Sequence, residues 1–498
     1  MSKKIFLSLL TLTLFVRLIA AWVIPAGFDE AYYAMWSRYL SWGYFDHPPF
    51  VALTAAIGPT LFNNLSPFTI RIGPLCFHLL ASYLLYTLCL LNFNKTSARI
   101  ACVLFNIIPY FSLGSGLLLL PDNSLLCFLL AALLCLHTLR QTPTKRWPLM
   151  IAGSLFGLAF LSKYHAVLFI LATLLSFWPN NTINIWKRWD FYLGILLCTL
   201  IILPNIYWNY AHDWISYIEQ VGKGGEIHFS WATFGQSFGG QLAYLLPWTP
   251  IFILFFSLKN KVIRKHWLFP YAWVTILVFC IVGSYRSILP HWPMPGWMIA
   301  LCFLAYQISQ WKPWQKLSFI TGTTLITVSL AGLLIIQSHY DLLKIPAGTD
   351  PTLAGQGWKE VLKKIETDPS LSYDFLISHK WFTGGQLAFA SAGKTPVLVF
   401  NKNAAHHFAF INNHRSFKHK NAIFITSEAS AYDAKKELAP YFNQINTLPA
   451  THINRRFSKG QTFQLWYCQN YQGNFPFNYG INKDIPSPKP SIAYTKTK

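Results

Sequence analysis

Two carboxylates stand side by side at Asp29-Glu30, and a third acid follows within Tyr44-Phe45-Asp46-His47-Pro48-Pro49. The chain holds only 18 acidic residues in 498, so three in one short stretch single it out. A carboxylate facing an acceptor hydroxyl can draw off its proton as the oxygen attacks, which is general-base work. Exclusion of water from a partly apolar cleft would raise its pKa and improve that match. The plainer reading of the same pair is a helix start, with Asp29 as N-cap and Glu30 favoured by the helix dipole. The two readings are compatible. Asp46 and His47 offer two ligands for a divalent metal, or a means of orienting a phosphate, against the plainer reading of a turn.

Four further spots carry groups of the right chemistry. Asp122, in Leu119-Leu120-Pro121-Asp122-Asn123, is either a helix cap after proline or a hydrogen-bond partner for a sugar. Lys163 and Tyr164, in Leu161-Ser162-Lys163-Tyr164-His165, interrupt a long apolar run. That lysine either snorkels to a surface or pairs with a lipid phosphate. Arg286 and His291, in Ser284-Tyr285-Arg286 and Pro290-His291-Trp292-Pro293, leave the same choice open. Wherever a phosphate departs, a cation must meet the charge building on its oxygens.

The elements that hold these groups are membrane spans. Hydrophobic residues make up 53% of the chain and charged residues 12%, about half the charge of a soluble protein. The net charge of +22 sits largely in short loops between apolar segments, the positive-inside pattern, and so points to lipid phosphates and not to nucleic acid. Eight of the nine cysteines lie in apolar segments without a paired CxxC, so neither a disulfide framework nor a zinc site is signalled. Met1-Ser2-Lys3-Lys4 and the apolar run after it are expected to be a retained first span with cytoplasmic lysines.

Eleven spans are expected: Ile5–Val23, Pro67–Leu91, Ala98–Leu117, Pro121–Leu139, two short ones between Trp147 and Trp178 broken at Ser162-Lys163, then Phe191–Tyr207, Leu242–Leu258, Trp267–Gly283, His291–Ile308 and Leu317–Gln337. The basic loops then fall on one side. Asp29, Glu30, Asp46, His47, Asp122, Lys163, Arg286 and His291 fall on or near the other. Residues 24–66 form the first outer loop. Its Tyr32, Tyr33, Trp36, Tyr39, Trp42 and Tyr44 read as a helix lying in the membrane interface. Asn209–Gln236 is a further outer loop, and its Gly-Lys-Gly-Gly at 222–225 reads as a mobile lid.

Beyond residue 338 the character turns polar. Strands are predicted at Phe375–Ser378, Pro396–Phe400, Ala422–Thr426 and Thr462–Tyr467, with helices at Gly357–Ile365 and Ala429–Phe442. The fold class is therefore a polytopic α-helical membrane protein. Residues 1–338 form the transmembrane part and 339–480 a small α/β domain outside the membrane. A tail at 481–498, rich in Pro, Lys and Thr, is expected to be disordered.

Taken in order, Asp29-Glu30 after the first span, Tyr44-Phe45-Asp46-His47-Pro48-Pro49, Pro121-Asp122-Asn123, Leu161-Ser162-Lys163-Tyr164 and Arg286…His291-Trp292-Pro293 resemble the GT-C glycosyltransferases. These use polyprenyl-phosphate sugar donors. The chain is similar to their bacterial branch, related to protein O-mannosyltransferases and lipid A aminoarabinose transferases, over about its first 300 residues. The resemblance implies a multi-pass enzyme of a bacterial inner membrane, active at the periplasmic face. It would transfer a sugar with inversion to a hydroxyl of lipid A, a polysaccharide, another lipid or a protein. On that pattern Asp29 is the base with Glu30 beside it. Asp46 and Asp122 shape the sugar or metal site, with Asp46 and His47 as the ligands of a divalent metal, Lys163 and Arg286 hold phosphate, and His47, Tyr164 and His291 bind substrate. Asp46-His47-Pro48 stands where the aminoarabinose transferases carry Glu-Lys-Pro. The competing readings are a transporter or flippase of lipid-linked sugars, which would spread charges along several spans, and a membrane-anchored sensor.

Overall fold

The computed structural model describes residues 2–178, 183–222, 228–401, 406–427 and 432–476. Lys223-Gly224-Gly225 of the expected lid and the expected tail at 481–498 lie outside them. The helices of the first half are α1 (Lys3–Val23), α2 (Phe28–Trp36), α3 (Phe50–Phe62), α4 (Pro67–Ile70), α5 (Ile72–Asn92), α6 (Lys95–Ile107), α7 (Asp122–Gln141), α8 (Trp147–Ser162), α9 (Val167–Phe177) and α10 (Trp189–Ala211). There follow α11 (Ile215–Gly222), α12 (Trp231–Leu245), α13 (Trp248–Lys259), α14 (Lys261–Arg264), α15 (Phe269–Tyr285), α16 (Met294–Ser309) and α17 (Pro313–Tyr340). The polar C-terminal part carries α18 (Trp358–Glu366), α19 (Trp381–Ala390) and α20 (Ala434–Leu438).

Among the described residues, α1, α4–α5, α7, α10 and α17 are each long and apolar enough to cross a membrane, and α12–α13 makes a sixth if the bent pair counts as one. Five more apolar helices, α3, α8, α15, α16 and the Tyr164–Phe177 segment, are shorter. Three of the expected spans are not single helices. Ala98–Leu117 is α6 followed by a π-helical turn at Tyr110–Ser115. Pro109 is the cause: it forces Ile108 into extended backbone (ψ 125°) and ends α6. Leu242–Leu258 is the end of α12 and most of α13, bent by 100° around Leu246 and Pro247, with Leu246 at φ 64°. Pro67–Leu91 is α4 and α5, joined through Arg71. The expected outer loop Asn209–Gln236 contains α11 and the start of α12, and residues 24–66 hold α3 in addition to the one helix expected there.

The chain divides into two compact units. The first comprises Met1–Ile19, His47–Val51 and Pro74–Ser329. Its core lies around α6, α7 and α16, whose side chains are mostly buried. In this unit α8 and α10 meet backbone to backbone. A Cβ on Gly153 would lie 2.1 Å from the carbonyl oxygen of Gly194, so Gly153 and Gly157 form a small-residue seam of the Gly-x-x-x-Gly kind.

The second unit comprises Ala20–Asp46, Ala52–Gly73 and Leu330–Lys498. Most of the 24–66 segment thus belongs to the same compact unit as the polar C-terminal part. The sheet contains β1 (Phe375–Ser378), β2 (Val397–Val399), β3 (Ala422–Ser427), β4 (Phe442–Ile453) and β5 (Gln461–Tyr471), in the order β2-β1-β3-β5-β4. β1 runs parallel to β2 and β3, with Leu376 opposite Val397 and Ile423. β5 runs antiparallel to β3 and β4. Only Ala434–Leu438 of the expected helix Ala429–Phe442 is helical among the described residues, and β4 starts at Phe442. β4 escapes sequence reading because it is a solvent-facing edge strand with no alternation of burial and a proline, Pro449, at its register shift.

Candidate active site

In the second unit the acid pair opens α2, and its two members live in different surroundings. The Gly27 N–H donates to Glu30 Oε2 at 2.9 Å, fixing the helix start. Arg71 then grips the same carboxylate, Nε to Oε1 at 2.8 Å and Nη2 to Oε2 at 2.5 Å, with both side chains buried. The rest of the guanidinium serves the last carbonyls of α1 and the link beyond: Nη1 donates to Ala21 and Ile24 (3.2 and 2.6 Å) and Nη2 to Pro25 (3.0 Å). Arg71 therefore ties the end of α1 to the start of α2. Glu30, expected to stand beside the base, has its carboxylate engaged by the Gly27 N–H and the Arg71 guanidinium.

Asp29 is left different. It is half-buried. It takes no hydrogen bond or ion pair among the described residues. Burial, with the adjacent Glu30 charge second, pushes its carboxyl up to about 6. A carboxylate with free lone pairs and a pKa close to neutrality is what a general base requires.

The aromatic run around it is packed in protein, which corrects the interfacial-helix reading. Tyr32, Tyr33, Trp36 and Tyr44 are buried, while Trp42 stays exposed. α2 lies against α19 so closely that a Cβ on Gly385 would sit 3.1 Å from the backbone of Tyr32. The Tyr32 hydroxyl accepts from the His407 N–H at 2.7 Å, and the Phe45 N–H donates to His407 Nδ1 at 3.2 Å. Trp36 and Tyr44 stack with centroids 4.4 Å apart. These rings find partners in the C-terminal part, which no local pattern announces.

The first unit carries a separate cluster. Lys163 Nζ reaches both oxygens of Asp122, at 3.0 and 2.8 Å, with both side chains buried. His291 Nε2 stands 4.0 Å from Asp122 Oδ2. Asp122 begins α7, and Lys163 follows α8 in an extended residue that ends it. Ser124 and Ser162 hydrogen-bond just beyond the pair at 2.9 Å. Asp122 and Lys163, for which separate roles are expected, are each the other's partner. The Tyr164 hydroxyl meets Ser216 Oγ at 2.7 Å. Arg286 donates Nη1 to the Val221 carbonyl at 3.3 Å and has no carboxylate partner among the described residues.

Asp46 closes the stretch that belongs to the second unit, and His47 opens one that belongs to the first. Among the described residues no group of three or more His, Cys, Asp and Glu gathers to hold a metal ion.

Sequence reasoning missed Arg71, although an arginine in the apolar stretch Phe68-Thr69-Ile70-Arg71-Ile72 was a signal. It also missed Arg17, buried in α1, whose Nη2 donates to Asn106 Oδ1 at 2.8 Å.

A protein family described as dolichyl-phosphate-mannose-protein mannosyltransferase matches residues 46–208, a range that includes Asp46, His47, Asp122, Lys163 and Tyr164. ArnT from Cupriavidus metallidurans, in the apo state, superposes with a TM-score of 0.63 over 92% of this chain and 97% of that one, at 15% identity. The GT-C-like fold is thereby shown. The same protein bound to undecaprenyl phosphate matches this GT-C-like fold with a TM-score of 0.62, over 93% and 98% of the two chains at 15% identity. In sequence, the lipid A galacturonosyltransferase RgtD of Rhizobium johnstonii is 28% identical over 250 residues, 47% of this chain. The match spans about half, 49%, of that relative's length.

Proposed function

We propose that this chain is a glycosyltransferase that moves a sugar from a polyprenyl-phosphate donor to an acceptor hydroxyl, at the periplasmic face of a bacterial inner membrane. The observation that carries the reading is Asp29: half-buried, without a protein partner among the described residues, and raised to about 6. The similarity to RgtD, whose name specifies lipid A and galacturonosyl transfer, and to ArnT with undecaprenyl phosphate bound supports the donor and acceptor classes.

In the proposed step the acceptor oxygen forms a bond to the anomeric carbon while its proton passes to Asp29. The bond from that carbon to the phosphate oxygen breaks, and its electron pair leaves on the polyprenyl phosphate. Attack from the face opposite the leaving group inverts the anomeric centre. Asp29 suits this role because a base works best with a pKa near the working pH. Arg286, without a carboxylate partner among the described residues, is the cation assigned to the departing phosphate. His47, Tyr164, Asp122, Lys163 and His291 are assigned to substrate binding. The one-sided basic loops support a cytoplasmic start and eleven passes, which would place residues 339–480 outside.

The test is a transfer assay with purified protein in detergent, using a panel of polyprenyl-phosphate sugars against a membrane lipid extract. Wild type is run beside Asp29→Asn, each with and without chelator. Product from wild type alone supports the enzyme and its base. Equal product from both proteins removes Asp29 from the mechanism. A chelator-sensitive wild type would bring a metal at Asp46 and His47 back into the scheme.

A further inference from the structure

Within the second unit, α1 and α17 both end at one cavity of about 400 Å³. Trp22 and Val23 line it from the end of α1, and Ser338 and His339 from the end of α17. Both helices are long and apolar enough to cross a membrane. Span ends lie at the level of lipid headgroups, about 15 Å from the bilayer centre. The first turn of α18 and Asn454-Arg455-Arg456 also line it.

The charge of this lining is positive. Lys359, Arg455 and Arg456 line it with one acid, Glu360. Arg455 is already committed, its Nη2 lying 2.5 Å from Asp350. Arg456 is exposed, lies over the Phe457 ring at 5.2 Å, and has no carboxylate partner among the described residues. Gly357, the residue before α18, has no side chain with which to cap the first N–H groups, and it lines the cavity with them. An anion seated there would meet the Arg456 guanidinium.

A second, mostly apolar trough of about 720 Å³ adjoins it and shares Trp22, Ser66 and Pro67. Phe62 and Phe68 form its floor. Trp22 and Phe62 are 73% and 57% exposed, so large rings are left without protein cover. A cationic, polar cavity running into an apolar trough has the shape of an amphiphile. A free phosphate would use only the first half.

We propose that this pair of cavities seats an anionic membrane phospholipid, its phosphate toward Arg456 and the start of α18 and an acyl chain along Trp22 and Phe62. The seat does not depend on whether Asp29 is a base. It would fix the position of the α1–α2 junction against the bilayer, because Ile24, Pro25 and Ala26 form one of its walls.

The test measures retention of radiolabelled phosphatidylglycerol and phosphatidylcholine on the immobilised full-length protein in mild detergent, with inorganic phosphate as competitor. Phosphatidylglycerol is expected to be held in preference to phosphatidylcholine and to resist millimolar phosphate. Arg456→Glu should weaken it at least about fivefold, Arg456→Lys should restore most of it, and Phe62→Ser should weaken it from the apolar end. Equal retention of the two lipids by wild type, a comparison that needs no variant, would overturn the proposal. So would wild-type behaviour of Arg456→Glu. Displacement by inorganic phosphate, with no effect of Phe62→Ser, would assign the cavity to a free anion and overturn the lipid.

Discussion

Arg71 holds Glu30 through two parallel hydrogen bonds, at 2.8 and 2.5 Å, across 41 positions of sequence. The fork also takes up carbonyls at the end of α1. One buried guanidinium thus sets the place where the α1–α2 link turns and where Asp29 stands.

Breaking this pair should be costly. Removing one partner of a buried, hydrogen-bonded ion pair leaves the other charge uncompensated, at about 3–5 kcal/mol. Arg71→Met and Glu30→Gln are each expected to lower the melting temperature of the detergent-solubilised protein sharply. Unchanged melting in both would show that the pair contributes little to holding α2.

Asp29→Asn should behave in the opposite way. Transfer is expected to fall about 100-fold or more, the usual worth of a positioned base. Stability should not fall. The folded pKa of about 6 lies above the ordinary 3.8, so the proton binds more tightly in the folded state. The stability this gives is present below about pH 4 and is lost as pH rises through 6. Asp29→Asn removes that loss and should melt at or above wild type at pH 8. A large drop in melting temperature would make Asp29 a structural residue.

Activity should follow the same titration. The base is competent only when ionised, so the rate at subsaturating substrate is expected to rise through about pH 6 and then level off. Part of that upward shift comes from the Glu30 charge. Glu30→Gln should therefore move the midpoint to lower pH, if the protein is kept folded at low temperature. A midpoint that stays in place would separate Asp29 from the pH dependence.

Asp122 and Lys163 should show strong coupling. Each single change, Asp122→Asn or Lys163→Met, leaves a buried charge alone and is expected to destabilise by about 3–5 kcal/mol. The double variant Asp122→Asn/Lys163→Met should recover much of that, with a coupling of about 1–3 kcal/mol in a double-mutant cycle. Additive losses would mean that the contact is not maintained in solution.

The α8–α10 seam gives a purely steric prediction. A methyl at Gly153 would press on the Gly194 carbonyl, whereas at Gly157 it meets the Ile201 side chain at 3.0 Å. Gly153→Ala should cost about 1–3 kcal/mol and Gly157→Ala less, read by thermal unfolding. The reverse order would place the tight contact elsewhere.

The sequence by itself determined the class of the protein and where its chemistry could lie. Low charge, long apolar runs and one-sided basic loops are local properties, and the bilayer enforces them residue by residue. The break at Ser162-Lys163 was legible for the same reason, because a lysine and a tyrosine interrupt an apolar run. The strands at Phe375–Ser378 and Ala422–Thr426 announced themselves as short apolar runs between turns. What only the tertiary structure decided is the difference between Asp29 and Glu30. They are adjacent, of the same chemistry, and open the same helix. Arg71 reaches one and leaves the other because its direction is set by the packing of α1 and α4–α5, which no short pattern encodes. The pairing of Asp122 with Lys163, likewise 41 positions apart, has the same origin. So has the burial of Tyr32 and Trp36 against α19 and His407, which took an aromatic run that reads as membrane surface and made it the core under the acid pair.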